Sequence, residues 1–216
     1  MKKISKMQIA IWALALLPVL AVAAFYQRLP AQVPMHWDFG GAVGFEDKWQ
    51  LWLISGMAPL LAVVFYFLPR FDPKKRNYGK FFGSYLGFQL IMMLFLLMMT
   101  GICIVEGLHP GTLDIAMVVC LAVSLLLIYL GNMMPKFRMN WFCGIKNPWT
   151  LSSETVWTRT HRLAGRLFFA AGCLGAISAF IPNTVARFVV FFGLLLVAVL
   201  VPTVCSYVWF RTEQTT

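Results

Sequence analysis

The sequence is poor in charge, and its acidic residues are fewer than half as many as its basic ones. Charged residues make up 12% of the 216 residues, with 8 Asp and Glu against 18 Lys and Arg. A soluble domain usually carries about a quarter charged residues. The composition therefore excludes an ordinary soluble domain of this length. Hydrophobic residues, at 60%, indicate a chain whose main solvent is lipid.

Several signatures of chemistry are also missing. The sequence contains no HExxH, no GxSxG and no glycine loop that would cradle a phosphate, so it shows no enzyme motif. Its five cysteines contain no CxxC pair, which favours reduced, buried thiols over a disulfide or a metal site. We therefore expect a protein that is not an enzyme and that holds no cofactor and no metal.

What the sequence does contain is six long apolar runs. They cover Met7–Tyr26, Leu51–Leu68, Tyr85–Val105, Ile115–Met134, Leu163–Ile181 and Phe188–Phe210. A helix that crosses the hydrocarbon core needs about 20 apolar residues. Lipid offers the backbone no hydrogen-bond partners, so spanning runs must be helices. The sequence predicts an all-α polytopic membrane protein with six transmembrane helices.

The basic residues predict the orientation of these helices. Fifteen of the 18 lie where a six-span chain would return to the same side of the membrane: before run 1, between runs 2 and 3, between runs 4 and 5 or just inside run 5, and after run 6. The three on the other side are Arg28, Lys48 and Arg187. The positive-inside rule then places both termini in the cytoplasm. Since the charge is spread over separate loops with no reading module, we expect no direct binding of nucleic acid.

Ionisable residues are absent from the centres of the runs. Such residues usually mark a transport path, so their absence argues against a proton-coupled transporter. It leaves open a passive path for a small molecule, lipid or peptide. A membrane enzyme that uses His161, Arg162 and Arg166 near lipid headgroups also stays open, as does a packing subunit of a larger complex.

Loop 1, at residues 27–50, is the one long external segment. Its prolines and glycines predict a shaped loop rather than a helix. Apolar and aromatic residues alternate with polar ones, which fits either aromatics resting on headgroups or a docking surface for an external ligand. His36 and Asp38 would meet His109 and Asp114 only if loop 1 touches loop 3, the short external turn Glu106–Asp114. Because loop His and Asp residues are usually just hydrogen-bonded, we expect no metal site there.

Loop 4, at residues 135–166, is the longest cytoplasmic segment. Pro135–Pro148 is irregular, whereas Thr150–Arg166 has helical spacing, with Thr150, Ser152 or Ser153 as its cap. We expect this helix to run along the inner interface and to continue into the fifth run. Its tryptophans fit an interfacial belt or a folded structure that holds a partner.

These two loops carry a resemblance to a known family. The external segment LPAQVPMHWDFGGAVGFEDK (Leu29–Lys48) and the segment GNMMPKFRMNWFCGIKNPWTLSSETVWTRTHRLAGR (Gly131–Arg166) resemble those of SdpI-type (SdpI/YfhL-like) immunity proteins of bacterial membranes. In the second, longer motif the likeness rests on Gly131, Asn132, Pro135, Asn140, Gly144, Pro148, Trp149, Thr150, Leu151, Glu154, Trp157, Thr160, His161, Gly165 and Arg166.

The resemblance implies a multi-pass protein of the bacterial cytoplasmic membrane. It implies protection against an SDP-like antibacterial peptide, and a second activity in which a transcriptional repressor is held at the membrane once toxin is sensed. Residues 1–70 would form an N-terminal membrane hairpin with loop 1, and residues 71–216 a four-helix core with loop 4. Toxin, repressor and membrane lipids are the expected partners.

Two sets of candidate site residues follow. The external set, which would contact toxin, is Pro34, His36, Trp37, Asp38, Gly41 and Lys48. The cytoplasmic set is Asn132, Pro135, Asn140, Gly144, Pro148, Trp149, Thr150, Glu154, Trp157, His161, Arg162 and Arg166.

Overall fold

The computed structural model describes residues 5–37 and 43–215, and most of these are helical. The helices are α1 (Lys6–Phe25), α2 (Leu51–Phe71), α3 (Phe82–Leu108), α4 (Ile115–Met133), α5 (Pro148–Ser152), α6 (Glu154–Ser178) and α7 (Thr184–Thr215). Short 3₁₀ helices cover Lys48–Gln50, Lys75–Lys80 and Met134–Lys136. The strands β1 (Gln32–Trp37) and β2 (Val43–Asp47) form one small hairpin.

The predicted all-α polytopic membrane fold is confirmed. Within the described residues, five helical segments are long and apolar enough to cross a membrane. They are Lys6–Phe25, Lys48–Phe71, Phe82–Leu108, Ile115–Lys136 and Thr184–Thr215. The predicted fifth span lies in α6, which is not among them because its first half carries three arginines and His161. Six spans and cytoplasmic termini therefore stay predictions.

Loop 1 is a β-hairpin. Antiparallel pairs run from Gln32 opposite Asp47 to Trp37 opposite Val43, with a bulge between Pro34 and His36. Proline lacks a backbone donor and is tolerated at such bulges. The alternating residues of β1 place Val33 in a buried cluster with Val22, Leu29, Leu51, Cys103 and Ile104. This cluster anchors the hairpin to the ends of α1, α2 and α3.

The chain forms two compact units that interleave along the sequence. The first contains Met1–Phe67 and Leu86–Val118, and the second contains Leu68–Tyr85 and Val119–Thr216. The first unit holds the hairpin and a second apolar cluster built on Ile11, Ala15, Ala58, Ala62, Leu86 and Met93. The second unit holds loop 4.

Close packing of α4 on α6 shapes the second unit. A Cβ atom on Gly131 would lie 2.5 Å from the Phe169 nitrogen, and one on Gly165 would lie 2.8 Å from the Gly131 oxygen. One on Gly172 would lie 2.7 Å from the Ser124 oxygen. Small residues thus let the two backbones approach, as membrane helices commonly do. This contact holds α6 next to the start of loop 4, which follows α4.

Candidate functional site

Asn140 organises the irregular part of loop 4. It is fully buried, and its Oδ1 accepts the backbone N–H groups of Phe142 at 2.9 Å and of Cys143 at 2.6 Å. Its Nδ2 donates to the carbonyls of Arg138 at 2.9 Å and of Cys143 at 3.1 Å. One side chain therefore supplies the hydrogen bonds that regular structure would otherwise give this turn.

Asp72 joins the same network from a distant part of the chain. It is 2% exposed and accepts the backbone N–H of Lys74 at 2.7 Å, the N–H of Trp141 at 2.9 Å and the Tyr78 hydroxyl at 3.1 Å. Burial, together with the nearby Asp72 carboxylate, raises the pKa of Tyr78, so that its hydroxyl stays protonated and donates. The sequence analysis did not select Asp72 or Tyr78. The signal was a solitary acidic residue in a loop otherwise rich in lysine and arginine.

His161 and Trp157 of α6 hold the same turn through hydrogen bonds to its backbone. His161 Nε2 accepts the Ile145 N–H at 3.1 Å, so Nδ1 carries the proton and donates to the Trp157 carbonyl at 2.8 Å. The two rings stack with their centroids 4.0 Å apart. The Trp157 Nε1 donates to the Phe137 carbonyl at 2.9 Å. Both side chains are buried and act as internal supports of loop 4.

Gly144 lies against this histidine. Its φ is +106°, in the region that favours glycine, and a Cβ there would lie 2.2 Å from His161 Nε2. Both the backbone conformation and the space next to the imidazole require glycine at this position.

Two short caps lead from this turn into α6. Asn147 and Thr150 form a reciprocal capping box at the start of α5, while the Thr150 hydroxyl donates to the Ile145 carbonyl at 2.9 Å. Ser153 then caps α6 through the Val156 N–H. Of the three caps considered, Ser153 is the one that begins the long helix. The predicted continuation into the fifth run is confirmed, because α6 is unbroken from Glu154 to Ser178.

The cytoplasmic set divides into supports and a rim. Its supports are Asn140, Gly144, Thr150, Trp157 and His161, together with Pro135, which packs on Gly165. Trp149 lies against Tyr207 of α7 with ring centroids 5.0 Å apart, and Pro148 opens α5. The exposed rim consists of Asn132, Glu154, Arg162 and Arg166.

The buried His161 predicts a pH dependence. Burial lowers its pKa to about 4, whereas the unfolded chain titrates near 6.5. At pH above 6.5 both states are neutral and stability is full; as pH falls through 6.5 toward 4, the unfolded state takes up the proton first. We expect a loss of about 2 kcal/mol between pH 7 and pH 5.

Thermal unfolding of the purified protein in detergent at both pH values measures this loss. His161→Gln keeps an acceptor but does not titrate, and so should flatten the pH dependence. An equal loss in the variant would contradict the assignment.

The external set is spread over the hairpin. Pro34 is buried, Trp37 is half-buried beside the apolar cluster, and His36 is exposed with Nδ1 3.9 Å from Glu46 Oε1. The Lys48 ammonium donates to the carbonyls of Tyr26 and Leu29, each at 3.2 Å, and so supplies hydrogen bonds to carbonyls just after the C-terminus of α1. Asp38 and Gly41 lie outside the described residues.

The hairpin and the turn after it expose apolar residues that the external set did not include. Val43 and Phe45 of β2 are exposed, with Phe45 at 51%, and the adjacent Trp49 is exposed at 52%. Val43 is the cross-strand partner of Trp37, so the two lie on one face. The alternation of aromatics in loop 1 was the sequence signal for this surface.

The possible external metal site finds no support in the described part of the chain. There, no group of three or more His, Cys, Asp or Glu side chains is placed to hold a metal ion. The Asp114 Oδ1 instead accepts the Met117 N–H at 2.9 Å and caps α4.

The fold and site define a polytopic membrane protein with an ordered hairpin at one loop and a hydrogen-bonded turn at another. Residues 136–206 match the model of the SdpI/YfhL protein family, and residues 13–58 match a domain of unknown function (DUF1648). The chain is 25% identical over 187 residues to the immunity protein SdpI of Bacillus subtilis (strain 168). The aligned region covers 86% of this chain and 87% of that protein. No solved structure matches the chain. These matches confirm the predicted resemblance to SdpI-type proteins.

Proposed function

We propose that this chain is a membrane immunity protein that protects its cell from an SDP-like antibacterial peptide. The observation that carries the proposal is the similarity to the immunity protein SdpI across 86% of the chain. The predicted division into residues 1–70 and 71–216 is part of the proposal, and the two family matches fall on either side of it.

The β1–β2 hairpin is the proposed surface for the peptide. It exposes Val43 and Phe45, and Trp49 is exposed in the 3₁₀ helix that follows β2. Val33 and the Lys48 ammonium hold this segment to the helices. A pre-formed aromatic surface binds an apolar peptide at low cost in conformational entropy. Each good aromatic contact contributes about 1 kcal/mol beyond its buried area.

Loop 4 is the proposed internal surface, through its rim rather than through the residues that support the turn. Glu154, Arg162 and Arg166 are exposed along α6. A repressor held at the membrane, if this chain also senses toxin, would contact this charged rim. Reversing the charge of Arg162 and Arg166 should abolish recruitment of the repressor and leave protection against the peptide unchanged. That result would separate the two activities.

The site supports protection by binding rather than by turnover. His161 has both ring nitrogens hydrogen-bonded and is 1% exposed, so its imidazole is committed to holding Ile145 and Trp157 in place. An enzyme that used it as a base would first have to break these bonds.

Survival of a sensitive bacterium that expresses this chain, challenged with a panel of SDP-like peptides beside an empty vector, tests the proposal. We expect survival with at least one peptide. Equal killing of both strains, with the protein present in the membrane, would contradict it; flux through reconstituted liposomes would then favour a transporter.

A further inference from the structure

A polar pocket lies beside the first two turns of α6. Its volume is about 430 Å³, and its polar lining comes from Asn77, Lys80, Arg138, Glu154 and Thr158, with the buried Trp157 at its wall. All of these residues belong to the second compact unit. A second, shallower pocket shares Glu154 and Thr158 and adds Arg159 and Arg162.

The charges of this pocket are unpaired within the described residues. Lys80, Arg138 and Glu154 are exposed, and none of them forms an ion pair with another described side chain. The pocket therefore presents two cations and one carboxylate to whatever enters it. Arginine and lysine are the side chains that proteins use to bind phosphate.

The ends of two candidate membrane spans indicate the depth of the pocket relative to the bilayer. Lys80 precedes the candidate span Phe82–Leu108 by two residues, and Arg138 follows the candidate span Ile115–Lys136 by two residues. Two consecutive spans start and finish on the same side of a bilayer. The two cations therefore lie at one membrane surface, at the depth of lipid headgroups, where basic residues meet phosphates.

We propose that this pocket binds the headgroup of phosphatidylethanolamine. Lys80 and Arg138 hold the phosphate, and the Glu154 carboxylate accepts hydrogen bonds from the ethanolamine ammonium. A headgroup with one negative and one positive group matches the two cations and one carboxylate better than a purely anionic headgroup, which Glu154 repels. The assignment does not depend on the proposed immunity function.

Native mass spectrometry of the full-length protein in detergent, titrated with phosphatidylethanolamine or phosphatidylglycerol, tests the site. In Lys80→Ala/Arg138→Ala we expect retention of phosphatidylethanolamine to fall about tenfold, since charged hydrogen bonds to the phosphate are lost. Lys75→Ala/Arg76→Ala removes the same charge from exposed residues that do not line the pocket, and should retain the lipid.

Glu154→Gln should lower retention of phosphatidylethanolamine and raise that of phosphatidylglycerol. Unfolding temperatures near that of the parent protein confirm that these surface variants fold. Equal retention in the two double variants would overturn the site. Displacement of the lipid by millimolar inorganic phosphate would overturn the lipid assignment in favour of free phosphate, and an unchanged preference in Glu154→Gln would overturn the role of the carboxylate.

Discussion

Replacing Gly144 with alanine is expected to unfold the turn at the centre of loop 4. The new Cβ would collide with the Nε2 atom of His161 and would also force alanine into a φ of +106°. Relief of either strain separates His161 from the Ile145 N–H, which is then left without its acceptor. Together these effects should cost about 3 kcal/mol or more. Thermal unfolding in detergent, followed by tryptophan fluorescence, and protease cleavage within residues 135–166 measure the loss.

Gly111→Ala is the matched control for this substitution. Gly111 also has a positive φ, +80°, but a Cβ there would meet no atom within 4 Å. It therefore carries the backbone strain without the collision, and its effect should be clearly the smaller of the two. Equal effects would show that the contact with His161 contributes nothing.

The second large effect is expected at Asp72. Asp72→Ala would leave the N–H groups of Lys74 and Trp141 without their acceptor. The Tyr78 hydroxyl would lose its 3.1 Å bond to Asp72 and keep only a longer, 3.4 Å bond to Asn140 Oδ1. Each buried donor that loses its acceptor typically costs about 1–3 kcal/mol, so the loss of the three bonds should cost about 3 kcal/mol or more in total. We expect a comparable fall in the free energy of unfolding, measured by the same thermal assay.

Two further variants make this prediction specific. Tyr78→Phe removes one of the three donors and should cost about 1 kcal/mol. In the Asp72→Ala background it should cost less, because the closer of the two acceptors of the hydroxyl is already gone. Asp47→Ala, at an exposed aspartate of β2, should be nearly neutral. Additive effects of Asp72→Ala and Tyr78→Phe would refute their coupling.

The helices follow from the sequence because their cause is local. Long apolar runs predict spans whatever surrounds them, and Ser153 followed by Glu154 is a local start signal for α6. The hairpin was not predicted; loop 1 was expected only to be a shaped loop. Proline and glycine in loop 1 indicate turns, and only the alternation of Val33, Met35 and Trp37 pointed to a strand. Its pairing depends on contacts with helices that are distant in sequence.

The sequence predicted which residues belong to the candidate site, but not what each of them does. Family resemblance selected Asn140, Trp157 and His161, yet only the structure shows that they are buried supports of one turn. Asp72 was missed because its contact with Trp141 spans 69 positions of sequence, and nothing in the local pattern announces it. Phe45 and Trp49 were not selected, since exposure is decided by the fold around them.

The hairpin as the toxin-binding surface is tested most directly by survival under peptide challenge in two matched double variants. Phe45→Ala/Trp49→Ala removes two exposed aromatics, one from the hairpin and one from the 3₁₀ helix that follows it. Phe142→Ala/Trp141→Ala removes the same two residue types, also exposed, from loop 4. Losing two aromatic contacts should weaken peptide binding by roughly 2 kcal/mol, about 30-fold. We predict that the hairpin variant loses protection at peptide concentrations that cells with the loop 4 variant survive. Equal protection by both, at equal protein levels in the membrane, would contradict the account.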